Sequence, residues 1–262
     1  MKKIGFIGAG NMGGALIKGL ISFGAVEGKN VYVCGHHPEK LRAMSKELGF
    51  HISETRKDLY KVCDTVLFAV KPYHIEEILE EDRDLLKRKT VLSVISGYDF
   101  DRWQPLIDPS TRFQYIMPNT PAGSGAGVFM FEDKHSLYEE ESLEVEQMFS
   151  HIGRVFKLPS RLMSAGAAVA GCGPAFIAMV IEALSDAGVK YGIPRALSYE
   201  LVSQMVLGTA KMQIETGLHP GLLKDGVCSP GGTTIRGVQA LEKAGMRAAF
   251  TDAVDAVMSF GK

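Results

Sequence analysis

The stretch "KIGFIGAGNMGGAL", residues 3 to 16, decides how the chain is read. It opens as a short β-rich run, and Gly8, Gly10 and Gly13 then stand in GxGxxG spacing at the start of a helical pattern. In that context the first glycine permits a tight turn, the second lets a pyrophosphate approach the backbone, and the third lets the helix pack on the strand. The free N–H groups of the helix start, with their partial positive charge, would face the phosphates. A glycine-rich turn can also be purely structural. Here the loop lies in the first strand–helix unit with the right flanks, which favours dinucleotide binding.

Further β-rich runs follow: "NVYVCG" (30 to 35), "TVLFAV" (65 to 70), "TVLSVI" (90 to 95), "RFQYIM" (112 to 117) and "GVFMF" (127 to 131). Amphipathic stretches such as "PEKLRAMSKELG" lie between them, with Pro38 suited to a helix's first position and Gly24 and Gly49 to its end. Strand, helix, strand at this spacing predicts an α/β fold whose N-terminal part is a Rossmann-type, doubly wound parallel sheet. After Pro159 the texture changes. Sixteen alanines fall in residues 161 to 262 against seven in the first 160, and no alternating β-branched run remains. The second part therefore reads as an all-α bundle, with helices predicted over 162 to 171, 174 to 191, 195 to 217, 232 to 244 and 246 to 260. The expected domains are 1–158 and 159–262. On the helix at 174 to 191, Phe176, Met179, Val180, Leu184 and Ala187 form one stripe, which so small a bundle would bury against a partner subunit.

Composition narrows the function. With 29 basic and 30 acidic residues the chain has no strong field to attract nucleic acid or an anionic membrane. The four cysteines, Cys34, Cys63, Cys172 and Cys228, show no ligand spacing, so neither a metal site nor a disulfide framework is expected, only reduced thiols. The N-terminal apolar run is too short for a signal peptide, and no apolar run of about 18 residues is expected anywhere. A soluble cytoplasmic protein is the expectation.

The strand ends locate the cofactor. About 20 residues after the glycine loop, where an acidic residue would hold the ribose of NAD, stand Gly35, His36 and His37. This leans towards NADP, whose 2'-phosphate could meet Lys40, Arg42 or Arg56, although each is also an ordinary solvated cation. "FAVKP" (68 to 72), "SVISG" (93 to 97) and "MPNTPAGSGAG" (117 to 127) end three further strands in Lys, Pro, Gly, Ser and Asn, and ligands of open parallel sheets bind outside such ends.

Together "IGFIGAGNMG", "AVKP", "MPNTP", "GCGPAF" and "HPGLLKDGVCSPGGTTIRGVQALE" resemble the pyrroline-5-carboxylate reductases over nearly the whole chain. The last of these and "MPNTP" are the more specific; the glycine loop is shared by many dehydrogenases. The resemblance implies a Rossmann domain, a helical dimerisation domain, an active site where the two meet at the dimer interface, and NADPH, or else NADH, as hydride donor to a small cyclic imine. Carried over position by position, it places the cofactor on Ile7, Gly8, Ala9, Gly10, Asn11 and Met12, on His36 and His37, on Ala69, Val70, Lys71 and Pro72, and on Ser96 and Gly97; Gly13, from the glycine spacing, and Arg56, from its charge, complete the expected cofactor residues. The resemblance places the substrate on Ser229, Gly231, Gly232, Thr233 and Thr234. Cys172 and Phe176 depart from the family, which has Ser and Tyr there, and Arg56 stands where Asn is common. Whether dimers assemble further is left open.

In "CSPGGTT" Ser229 and Pro230 read as a helix start whose free N–H groups, 231 to 234, suit a carboxylate, leaving the Thr234 hydroxyl for the ring nitrogen as the catalytic contact. No general acid is evident, and His219 in a His-Pro pair reads as a turn. Rival readings are a related imine or ketone reductase and a non-catalytic NADP sensor. A 3-hydroxyacid dehydrogenase is disfavoured because "GCGPAFIAMVIEAL" lacks that family's lysine.

Overall fold

The structure is a computed structural model describing residues 3 to 260, so residues 1 and 2 of the first expected domain and residues 261 and 262 of the second lie outside the described part. The chain divides into two compact units, one ending at Cys172 and the other beginning at Gly173.

The first unit is built on an eight-stranded sheet in the order β3-β2-β1-β4-β5-β6-β7-β8. The strands are β1 (Ile4–Ile7), β2 (Val31–Cys34), β3 (His51–Ile52), β4 (Thr65–Phe68), β5 (Thr90–Ser93), β6 (Arg112–Pro118), β7 (Gly127–Glu132) and β8 (Gly153–Leu158). Neighbours from β3 through β6 are parallel, as in a doubly wound sheet. The sheet is not parallel throughout: β7 runs antiparallel to β6, and β8 is parallel to β7. Two strands escaped the sequence pattern. β3 is two residues long, too short for any periodicity, and both are exposed. In β8 the edge position leaves most side chains partly or fully exposed, so its hydrophobicity is weak.

Alternation along the strands sends side chains to the two covered faces. Phe6, Val33, Leu67 and Leu92 pack with Leu16, Ile17 and Leu20 of the helix Asn11–Ser22 on one face. Val66, Phe68, Val91 and Phe113 pack with Leu59, Ile75, Leu79 and Trp103 on the other. Residues beyond Pro159 join this unit: Met163 is buried in the second of these clusters, and Asn119 donates from Nδ2 to the Ala170 carbonyl, 3.0 Å. The expected helix at 162 to 171 is the helix Ser160–Gly166 followed by a π-turn, Ala167–Gly171, in which the Cys172 N–H reaches the Ala167 carbonyl, 3.0 Å. Such wide turns absorb one extra residue.

Glu141 ties three elements of this unit together. It accepts from the Thr90 hydroxyl (2.7 Å), from Arg112 Nε (2.7 Å to Oε2) and from the Tyr138 amide (3.1 Å). Burial alone would raise its pKa, but these donors outweigh burial and hold it below the ordinary value. A lowered folded pKa stabilises above the unfolded value, about 4.3, and that contribution fades as pH falls through the folded one. In acid titrations monitored by circular dichroism, Glu141→Gln should be less stable than the parent by about 1 kcal/mol at neutral pH, a partly exposed group being discounted for solvent. The gap should narrow as pH falls below the unfolded value of about 4.3 and close once Glu141 is protonated in the folded protein. A constant gap would show that the charge is irrelevant.

The second unit is helical: Gly173–Lys190, Arg195–Thr216, Pro220–Gly226, Thr233–Lys243 and Met246–Ser259. The first two pack closely where Ser198 Oγ donates to the Ser185 carbonyl, 2.9 Å, and where a Cβ on Gly188 would lie 2.3 Å from Ser198 Oγ. Ser185 and Ser198 are the buried residues of this unit among those described, and neither is hydrophobic. Met179, Leu201, Leu207 and Ile214 are about half exposed or more, so the apolar surface of a bundle is present without a core. By length and composition Ser160–Lys190 is long and apolar enough to cross a membrane, with 6% of that window buried. This corrects the expectation that no apolar run of that length exists; interspersed Gly, Ser and Pro disguise it in the sequence.

Candidate active site

The glycine loop forms as expected. Gly8 turns at φ +99°, Gly10 caps the helix Asn11–Ser22 without a side-chain bond, and a Cβ on Gly13 would strike the Gly8 carbonyl at 2.4 Å. The first N–H groups of that helix have no partner within it. In front lies a cavity of about 550 Å³ lined by Gly8 to Met12, by Gly35, His36, His37 and Lys40, by Ala69 to Lys71 with Tyr73 and His74, and by Thr120. Among the described residues no carboxylate lines it. An adjoining cavity of about 440 Å³ shares Gly8, Gly35, His36 and Val70 and adds Ile7, Cys34, Thr55, Arg56, Lys57 and Asp82.

The carbonyl ends of β1, β2 and β4 and the start of the helix Arg56–Val62 therefore bring together Ile7 to Met12, His36, His37, Arg56 and Ala69 to Lys71. Gly13 and Pro72 stand behind the cavities: Gly13 permits close packing, and Pro72 opens the short turn Pro72–His74. Ser96 and Gly97 form the exposed turn after β5, with Gly97 at φ +78° and its carbonyl accepting from Arg102, 2.8 Å; they line neither cavity.

Arg56 differs most from its sequence reading. It is not a free surface cation: its Nε donates to Asp82, 2.5 Å, and its Nη2 to Glu81, 2.5 Å. Asp82 is 1% exposed and also accepts from the Tyr60 hydroxyl, 2.8 Å. Burial works against the Arg56 cation, but its bonds to Asp82 and Glu81 outweigh this and raise its pKa. Burial, with Asp82 beside it, pushes the Tyr60 phenol up as well. Asp82 is a functional neighbour that no sequence signal reveals, because it lies 26 positions away on another helix. Tyr73 and His74 were within reach, as they directly follow the "AVKP" strand end.

In the second unit the "CSPGGTT" turn needs correction. Ser229 and Pro230 do not start a helix. The Gly232 N–H closes a turn on the Ser229 carbonyl, 3.0 Å, Gly231 sits at φ +71°, and Gly232 caps the helix Thr233–Lys243. Two glycines make this turn at little steric cost, which delays the helix by several residues. The donors left free by helix geometry are thus the N–H groups of Thr233, Thr234 and Ile235. Thr233 and Thr234 are exposed, and the Thr234 hydroxyl has no partner among the described residues. His219 acquires a plain role: its Nδ1 accepts from the Gly221 N–H, 3.0 Å, capping a helix the sequence reading missed, Pro220–Gly226.

The chain is 37% identical over 260 residues to the pyrroline-5-carboxylate reductase of Treponema pallidum, covering 98% of each. It is 38% identical to that of Escherichia coli, covering 98% of this chain and 96% of that one. The chain belongs to the pyrroline-5-carboxylate reductase family. Residues 160–261 match the model of pyrroline-5-carboxylate reductase dimerisation, and residues 3–97 match that of NADP oxidoreductase, coenzyme F420-dependent. The solved pyrroline carboxylate reductase of Plasmodium falciparum, with NADP bound, superposes with a TM-score of 0.88 at 29% identity, covering 98% of this chain and 95% of that one. Membership accounts for the coreless helical unit: residues 160–261 match a dimerisation model, and the chain is an oxidoreductase that associates with copies of itself.

The cavity residues fit a dinucleotide. A Cβ on Gly10 would meet nothing within 4 Å, so this glycine is not required by packing and leaves open the approach a pyrophosphate needs. In the larger cavity the wall at His36, His37 and Lys40 presents no carboxylate to a ribose diol among the described residues, while Glu39 lies on the adjoining surface beside His37 and Lys40.

Proposed function

We propose that the chain reduces 1-pyrroline-5-carboxylate to L-proline, the closing step of proline synthesis, with NADPH as donor and NADH as the weaker alternative. It works as a homodimer in the cytoplasm. Residues 1–158 hold the cofactor and residues 159–262 dimerise and take the substrate. The cofactor rests on the Ile7 to Gly13 loop, His36, His37, the Arg56 wall, the Ala69 to Pro72 turn and the Ser96-Gly97 turn. Bound there, the nicotinamide supplies the hydride that reaches the imine carbon.

The chain's own residues position and polarise. The turn of Ser229, Gly231 and Gly232 brings backbone close to a small anion, and the unbonded N–H groups of Thr233 and Thr234, at the positive end of an 11-residue helix, hold the carboxylate. The Thr234 hydroxyl donates to the ring nitrogen, drawing electrons from the carbon that accepts hydride. The proton that nitrogen gains comes from solvent, since no general acid stands in these turns; if the imine arrives already protonated, the Thr234 hydroxyl accepts from the ring N–H instead of donating to it.

The observation that carries the reading is this exposed helix start, with two glycines before it and two threonines upon it, on a chain that also has the acid-free dinucleotide groove. Purified protein mixed with pyrroline-5-carboxylate should oxidise NADPH, and NADH more slowly, followed at 340 nm. No turnover with either cofactor would overturn the reading.

A further inference from the structure

The turn Ser96-Gly97 is exposed, whereas Val94 and Ile95 before it and Tyr98 after it are buried. Gly97, at φ +78°, has no side chain to pack, so what holds the turn comes from its neighbours. The Tyr98 hydroxyl donates to Glu76 Oε1, 2.7 Å, on the helix Ile75–Asp82, which follows the Ala69 to Pro72 turn closely in the chain. Two strand-end turns are thereby tied to each other. The Phe100 N–H donates to Glu132 Oε2, 2.8 Å, a residue 32 positions further along the chain.

Glu132 is the last residue of β7 and is 2% exposed. A carboxyl in such a place is costly unless it is hydrogen-bonded. Burial, with Asp99 and Asp101 nearby, raises its pKa over the pull of the Phe100 N–H. The short helix Phe100–Trp103 has its own cap without it, since the Arg102 N–H donates to Asp99, 3.1 Å. What Glu132 adds is a bond from the sheet to the third residue beyond Gly97. Its own place is held in turn: Gln114, 1% exposed, donates from Nε2 to the Glu132 carbonyl, 2.9 Å.

Resting on the cofactor turn of the proposed function, we propose that Glu132 and Tyr98 are positioning residues for the dinucleotide: neither touches it, and together they hold Ser96-Gly97 in the bound geometry before the cofactor arrives. A turn left free has to be ordered on binding, and each residue so ordered weakens affinity by about tenfold. The carboxylate of the imine is assigned to another turn, Ser229 to Thr234. The two residues therefore act on one ligand and not on the other.

The test is fluorescence titration of the full chain with NADPH, beside thermal melts and steady-state kinetics. Glu132→Leu should raise the NADPH Kd about tenfold and Tyr98→Phe about threefold, with KM for pyrroline-5-carboxylate within about twofold of the parent in both. Glu132→Gln keeps an oxygen for the Phe100 N–H and, being neutral, suits a site that favours the neutral acid, so its Kd should return to within about twofold of the parent. A residue that only stabilises the fold would lower the melting temperature and leave both ligands alone. Should Glu132→Leu not fold, Tyr98→Phe decides, because its ring stays in place and Glu76 is exposed to solvent. An unchanged NADPH Kd in the variants that fold, an equal rise for both ligands, or a loss in Glu132→Gln as large as in Glu132→Leu would overturn the inference while leaving the proposed function standing. Failure of the parent to bind NADPH would remove the two together.

Discussion

Gly10→Val should weaken NADPH binding by about 100-fold or more while leaving the fold intact, with a stability change under about 1 kcal/mol. The three glycines of the loop serve different masters. At Gly8, φ is +99° and a Cβ would sit 2.6 Å from the Ala69 carbonyl oxygen, so a side chain there damages the protein itself. At Gly13 a Cβ would lie 2.4 Å from the Gly8 carbonyl oxygen, with the same result. At Gly10, φ is −66° with an extended ψ, and the space around a Cβ is open. What a valine fills there is the approach of the guest to the free N–H groups of the helix start. Fluorescence titration with NADPH, beside a thermal melt, separates the two outcomes. Unchanged affinity would mean that the pyrophosphate does not pass over this residue, and a collapsed melting temperature would mean that the glycine is structural.

Thr234→Ala should lower kcat by about 10-fold to 100-fold with KM changed far less. A hydrogen bond to a group gaining charge is worth about 1.5–3 kcal/mol. The carboxylate contacts assigned to this turn are backbone N–H groups, which the substitution keeps, so binding and chemistry should separate. Thr234→Ser, which retains the hydroxyl, should recover most of the rate. A purely structural role would not produce that recovery pattern, since Thr234 is exposed and its hydroxyl has no partner among the described residues. Steady-state kinetics on the two variants decide it: full turnover in Thr234→Ala removes the hydroxyl from the mechanism.

Much of the cofactor groove was legible because its parts are local. A strand, a glycine turn and a helix start within residues 4 to 13 carry their own geometry, and His36, His37 and Ala69 to Lys71 sit at or just beyond the ends of β2 and β4, where an apolar run stops at Gly, His, Lys or Pro. The substrate turn was legible as a special place but not in its shape. Ser229-Pro230 is a good helix start by composition, yet Gly231 at positive φ lets the chain spend four residues on a turn first. His219 looked like a turn residue and is a helix cap, because a ring nitrogen two positions before a free N–H can take that bond.

By itself the sequence determined the alternation that builds the first unit, the change to an alanine-rich helical second unit, and the motifs whose resemblance implied the family. These depend on periodicity, on glycine and proline punctuation and on the order of short motifs, all of which act within a few residues. Only the tertiary structure decided the antiparallel turn of β7, the absence of a core in the helical unit, and the fate of Arg56. Each depends on groups distant in the chain: β7 on the edge offered by β6, the coreless bundle on what its helices fail to bury in one another, and Arg56 on Asp82, whose carboxylate must find a cation because it is buried.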